Sequence, residues 1–209
     1  KSKMSEFTTP AWATSLTTTY NPNEKSYLNS PCFNISTVAR PVVSMDFVLD
    51  TDQNREGVVL EYSKDGGVTW FPLGGTNSGI NWFNTSGFGI GNIGSSPIGW
   101  SGGSWTLEDN AEADTLTEAR RALDNLNNLN QGERANVRFR FAFATDGFDE
   151  YEGFAFNNFS ISSRDRISLV ENFTNNGSTR YGDNNTVFTT TIPNTEVAKI
   201  QYHVGFPDT

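Results

Sequence analysis

The residues of this chain best supplied for chemistry are its carboxylates. Asp50, Asp52 and Glu56 fall in one short stretch, and Asp146, Asp149, Glu150 and Glu152 fall in another. Hard oxygen ligands on loops suit Ca²⁺, and Asp50, Asp52, Glu56 and Glu152 are the candidate metal ligands. The same side chains can be posed as a glycosidase acid/base pair, which needs two carboxyls at a set separation across a cleft. Nothing in the sequence marks out such a pair, and a solvated loop with an acidic tip accounts for the same composition. Other chemistry is poorly supplied. Cys32 is the single cysteine and His203 the single histidine, which excludes an internal disulfide framework, a multi-thiolate zinc site and a multi-histidine centre. A Ser-His-Asp or Cys-His mechanism would have to use His203, close to the C-terminus. No catalytic residue is assigned, and the chain is expected not to be an enzyme.

Aromatic side chains offer binding rather than catalysis. Trp82, Phe83, Trp105 and Tyr20 are the candidates for stacking against sugar rings, with neighbouring Asn and Ser to meet hydroxyls. The alternative is that these rings fill a core, and for Trp100 that alternative is preferred. The 209 residues carry 24 acidic and 15 basic side chains, a net charge of −9. That balance argues against binding nucleic acid, because no basic excess is available to displace counterions. No apolar run approaches the roughly 20 residues of a transmembrane helix. The chain opens on neither Met nor a charged-then-apolar leader, so it is expected to be a mature or excised segment.

The elements that must position these residues are strands. Val42 to Leu49 (VVSMDFVL), Val58 to Tyr62 (VVLEY), Val137 to Phe143 (VRFRFAF) and Gly153 to Ile161 (GFAFNNFSI) alternate or run apolar between turn residues. The period of two puts Val137, Phe139, Phe141 and Phe143 on one face, with Arg138 and Arg140 on the other. In the last run Phe159 and Ile161 fall out of phase with Phe154 and Phe156, so either a bulge intervenes or both faces are covered. Residues 74–103 are rich in Gly, Ser, Asn and aromatics, too long for a hairpin loop and too aromatic for a linker. They read as an ordered excursion, either anchored in the sandwich or displayed on its rim. Leu116, Ala119, Leu123 and Leu126 share a helical face, which predicts one short helix over Asp114 to Leu126, capped by Asp114 or Thr115 and stopped by the following NNLNQG.

Ser63-Lys64-Asp65-Gly66-Gly67-Val68-Thr69-Trp70 matches the Asp-box pattern S-x-D-x-G-x-T-W at every defined position. The Asp65 carboxylate can accept from turn amides, the glycines supply positive φ, and Trp70 packs back over the hairpin. Ser63, Asp65, Gly67 and Trp70 are therefore structural turn residues. The motif occurs once, whereas a propeller would repeat it.

Around the Asp-box a series of motifs runs in order. It comprises Tyr27-Leu28-Asn29-Ser30-Pro31-Cys32-Phe33-Asn34, then Glu56-Gly57, Gly99-Trp100-Ser101-Gly102, Val137-Arg138-Phe139-Arg140-Phe141 and Glu152-Gly153-Phe154-Ala155-Phe156-Asn157-Asn158. The series resembles the MAM-like or cleaved-adhesin-like jelly-roll modules of secreted Bacteroidota surface proteins. The resemblance implies an all-β, two-sheet antiparallel jelly-roll sandwich over residues 1–165. It also implies export by type IX secretion to the cell surface, and adhesion or carbohydrate binding with glycans or other surface proteins as partners. A structural spacer or secretion passenger, and an accessory domain of an extracellular hydrolase, are the alternatives. Asn34, Glu56 and Asn157 depart from acidic positions of the pattern that are the expected ligands of a structural Ca²⁺. Cys32 follows the pattern and is expected to be a small buried hydrophobe.

From Ile167 the pattern changes. Ile167 to Asn175 (ISLVENFTN) and Val197 to Pro207 (VAKIQYHVGFP) resemble the opening of a thioredoxin-like outer-membrane family. Asn175-Asn176-Gly177-Ser178 stands where redox members carry Cys-x-x-Cys, so thiol exchange does not transfer. Residues 166–209 are expected to be an incomplete start of such a domain, a partial α/β extension.

Overall fold

The computed structural model describes residues 7–16, 19–103 and 116–163. Trp105, Asp114, Thr115, His203 and the segment 166–209 lie outside the described residues.

Eight strands form two four-stranded antiparallel sheets. The first has the order β1 (Trp12–Ala13), β8 (Gly153–Ser163), β3 (Pro41–Asp50) and β6 (Thr117–Ala122). The second has the order β2 (Lys25–Asn29), β7 (Arg138–Ala144), β4 (Gly57–Ser63) and β5 (Phe71–Pro72). This is an all-β, jelly-roll-like sandwich. Period-two alternation builds its core. Val43, Met45, Phe47 and Leu49 of β3 and Phe154 and Phe156 of β8 meet Val58 and Leu60 of β4 and Phe139, Phe141 and Phe143 of β7. Each large apolar side chain sealed there contributes about 1.5–3 kcal/mol. Phe141 bridges the layers, its ring centroid 5.4 Å from that of Phe154 and 4.1 Å from that of Phe156.

The phase change in β8 is a bulge. Ser44 pairs with Ser160 and Asp46 with Asn157, so Asn158 and Phe159 together oppose Met45. Asn158 takes a positive φ of 51° and donates from Nδ2 to Asp46 Oδ2 at 2.7 Å. The extra residue returns Phe159 and Ile161 to the core side, where Phe159 packs beside Phe33, Phe139 and Phe141.

The helix expected over Asp114 to Leu126 is replaced by strand β6 and a 3-10 turn at Asp124–Asn128. Thr117 to Ala122 pair with Phe47 to Val42, burying Thr117 and Ala119 and leaving Glu118 exposed. Leu123 and Leu126 are still buried, through the turn, whereas Leu116 is exposed. A six-residue stretch of Thr, Ala and long charged side chains fits either period, and the edge that β3 offers decides for the strand. The short helix is α1 (Gln131–Arg134), which begins in the last two residues of the stretch read as a stop. Asn130 and Glu133 form its capping box, each side chain accepting from the other's backbone N–H at 3.0 Å.

The two open sides of the sandwich are treated differently. On the β6/β4 side the excursion 74–103 closes the gap. Ile80 exchanges backbone hydrogen bonds with Arg120 of β6, and Trp100 exchanges them with Val58 of β4. Trp82, Phe83, Phe88 and Trp100 are buried between these attachments. Gly57 is required here, because a Cβ at that position would collide with the Trp100 carbonyl oxygen. On the β1/β2 side the connection between the two strands ties Tyr20 to Tyr151 and Asn23 to Asp146 at the loop end, and no described segment pairs with the outer edges of β1 and β2 themselves.

Candidate functional site

Between the free edges of β1 and β2 lies a groove made of two neighbouring cavities of about 180 and 170 Å³. Trp12, Leu28, Phe141 and Phe156 line both. Ser26, Phe143 and Phe154 are among the other residues that line the first, and Ser30, Phe33, Phe139 and Phe159 among those that line the second. The alternation of β7 and β8 supplies a phenylalanine floor, and the brevity of β1 and β2 leaves it uncovered by the described residues. Trp12 stands at the lip, 63% exposed. The first cavity ends at Glu24, whose carboxylate accepts from the Ser26 hydroxyl and from the Asn21 backbone N–H at 3.3 Å.

Of the expected glycan-stacking residues, Trp82, Phe83 and Tyr20 are elsewhere and inaccessible, and Trp105 lies outside the described residues. Trp82 is 1% exposed, Phe83 is fully buried and Tyr20 is buried too. Each spends its polar atom, where it has one, inside the protein. Trp82 Nε1 donates to the Leu73 carbonyl at 2.9 Å, and Tyr20 donates its hydroxyl proton to Glu56 and packs edge-on to Phe143. These three rings hold the fold. The sequence reasoning missed Trp12 as a binding candidate, since a tryptophan in a short N-terminal run carries no period to mark it.

The carboxylates converge at one end of the sandwich. Burial pushes the Tyr151 hydroxyl pKa up, and the charges of Asp52, Asp149, Asp50 and Glu56 push it further. Their arrangement is that of a hydrogen-bonded clamp. Glu56 is sealed from solvent and accepts from Tyr20 Oη, from Asp52 N–H at 3.3 Å and from Asp146 N–H at 2.8 Å. Burial raises the Glu56 pKa, with those hydrogen bonds pulling it back. The Arg55 guanidinium donates to Asp146 Oδ2 at 3.0 and 2.7 Å and lies 3.2 Å from Asp52. It holds the Asp146 carboxyl below its ordinary pKa. Asp50 Oδ2 accepts the Glu152 N–H at 3.3 Å.

Glu56 therefore does not fit the cation-ligand role expected of it, since N–H and O–H donors occupy both its oxygens. Among the described residues no three His, Cys, Asp or Glu side chains are grouped to hold a metal ion. Arg55 is the positive charge that the neighbouring Asp52 and Asp146 face.

The Asp-box residues form a closed turn between β4 and β5. Asp65 accepts from Val68 N–H at 3.1 Å, Thr69 N–H at 2.9 Å and the Ser63 and Thr69 hydroxyls. These bonds, the Thr69 hydroxyl foremost, hold its pKa far below the usual carboxylate range. Gly66 and Gly67 take φ of 76° and 103°. Trp70 Nε1 donates to the Gly67 carbonyl at 3.0 Å, and its ring lies over Arg140, 4.3 Å from guanidinium to centroid. Tyr27 stacks on Arg140 as well, at 4.6 Å. Arg140 is also paired with Glu61, a buried carboxylate on the outer face of the second sheet that the Ser95 N–H caps at 2.6 Å. The excursion thus also covers part of that outer face. Cys32 departs from expectation: it is exposed, its Sγ 3.9 Å from Asn136 Oδ1.

No family model matches the chain, and no curated protein matches it. Among the described residues no helix is long and apolar enough to cross a membrane.

Proposed function

We propose that this chain is a non-catalytic binding module of a bacterial cell-surface protein exported by type IX secretion, and that it acts in adhesion through the groove between β1 and β2. The observation that carries the reading is the open flank, where an apolar floor is left uncovered beneath an exposed Trp12 while the opposite flank is sealed. An uncovered apolar concavity of this kind is the ordinary form of a ligand site. The non-catalytic part of the reading is supported by the loop end, where Glu56 and Asp146 are committed to Tyr20, Arg55 and backbone donors. The surface and export part rests on the ordered series from Ser30-Pro31-Cys32 to Gly153-Phe154-Ala155-Phe156 and its resemblance to adhesin-like modules.

Retention on surfaces coated with glycans and with proteins tests it. Beads carrying the protein are expected to be retained on at least one such surface. Beads carrying Trp12→Ala are expected to lose retention tenfold or more with an unchanged Tm. Equal retention by both forms, or none by either, overturns the reading.

A further inference from the structure

The groove has a repeat that says what shape of ligand fills it. Along β2 the first cavity lies beside Ser26 and Leu28, and the second beside Leu28 and Ser30. Their offset is two residues, about 7 Å, which is the spacing of side chains on one face of a strand. Each volume, about 180 and 170 Å³, takes one leucine- or phenylalanine-sized group, since an apolar cavity of about 150 Å³ accommodates benzene.

The wall beside these cavities is a strand edge with which no other described residue pairs. Thr145 N–H donates to the Glu24 carbonyl and Ser30 N–H to the Phe139 carbonyl, so the even-numbered residues of β2 face β7. The backbone N–H and C=O groups of Lys25, Tyr27 and Asn29 then turn to the free edge. A ninth strand paired there would direct alternate side chains onto the phenylalanine floor and the others outward beside Tyr27.

We propose that β2 takes an extended segment of another polypeptide as an added antiparallel strand, with two apolar side chains two residues apart seated in the two cavities. This rests on the groove being the binding site. Main-chain pairing would give affinity and the cavities specificity. A glycan fits less well, because the polar partners Thr14, Glu24, Ser26, Tyr27, Asn29 and Ser30 come from the β1 and β2 sides, and the floor that its hydroxyls would meet is phenylalanine. Charge narrows the partner further. The Ser26 end of the groove adjoins Glu24 and the carboxylate-rich loop, where Asn23 N–H donates to the Asp146 carbonyl. An antiparallel partner presents its C-terminal side there, so basic residues are expected after the apolar pair. A second copy of this chain, with its own net charge of −9, is disfavoured by the same field.

The probe is a blocked ten-residue peptide of Ser and Thr with leucines at its fourth and sixth positions and lysines at its last two. Titrated into the whole chain, it is expected to protect the Tyr27 and Asn29 amides from hydrogen exchange. It should bind at least tenfold more tightly than the same peptide with leucines at positions four and five, which point to opposite faces. N-methylation of its fifth residue, which removes the donor facing Tyr27, and Ser26→Phe, which fills the first cavity, should each cost tenfold or more. The Ser26→Phe Tm is measured to show that the fold persists. Equal affinity for the two leucine patterns overturns the inference. So does a chito- or cello-oligosaccharide that perturbs the groove amides when the peptide does not, although the groove would then remain the binding site. So does a concentration-dependent dimer that protects the same amides. If no probe touches the groove, the proposed function falls with it.

Discussion

The two flanks of the sandwich are built from similar residues and end in opposite states. The β6/β4 flank holds Trp82, Phe83 and Trp100 in mutual contact, with ring centroids 4.5–5.4 Å apart, and shuts them from water. The β1/β2 flank holds Trp12, Tyr27 and a floor of phenylalanines and is left open by the described residues. Aromatic content does not separate them. What does is backbone: the excursion pairs with a strand of each sheet, and its indoles find carbonyl acceptors, Leu73 O for Trp82 and Asn81 O for Trp100. An indole can be buried where its N–H finds an acceptor. The other flank has only two residues of β1 and five of β2 to offer.

The sharpest test of this contrast removes the ring at the centre of the closed flank. Trp100→Ala is expected to destabilise the protein by about 3–5 kcal/mol, through lost burial and the cavity left among Phe47, Trp82 and Phe83. Urea unfolding measures it, and a loss below about 1 kcal/mol would mean that the flank is not closed as described.

Glu56→Gln comes next, at about 1–3 kcal/mol, because one carboxylate oxygen is exchanged for a donor facing other donors. It also carries a pH signature. The folded-state pKa of Glu56 is raised, so its stabilising contribution is fully present below about pH 4.5 and is lost as pH rises through the folded value. Asp146 and Asp65 are lowered, so theirs are present above about pH 3.8 and are lost as pH falls through their folded values. Melting temperatures across the acid range should show the Gln variant lacking the decline on the high side of pH 4.5 while keeping the loss at lower pH. An identical profile on the high side would mean that Glu56 does not titrate there.

Asp65→Ala is expected to lower Tm by less. It frees the amides of Val68 and Thr69 on an exposed turn where water can replace the carboxylate. Hydrogen exchange should rise at those amides and not across β7. Smallest of all is Trp12→Ala, expected within about 0.5 kcal/mol of the parent. That result would mark the open flank as one whose tryptophan serves something other than folding, and a loss comparable to that of Trp100→Ala would erase the contrast.

The four long strands were legible because each carries its own period. The Asp-box turn was legible because its spacing supplies donors, acceptor and glycines within eight residues. The short edge strands β1, β2 and β5 were not, since two to five residues hold too little pattern. Thr117 to Ala122 misled for a related reason: its Ala, Glu and Arg side chains suit a helix until β3 offers an edge to pair with. Trp82 and Phe83 were legible as aromatics, but a sequence does not say whether a ring stacks on a ligand or on another ring.

Local period, local hydrogen bonding and composition already specify the sandwich, the tight Asp-box turn and the lack of an internal disulfide framework or a multi-histidine centre. Tertiary structure alone decided which rings are sealed. It also committed Glu56 to Tyr20 and the loop amides, and left the β1/β2 flank as the exposed concavity. Those outcomes depend on which distant backbone groups arrive to pair and to cover, and no local pattern encodes that arrival.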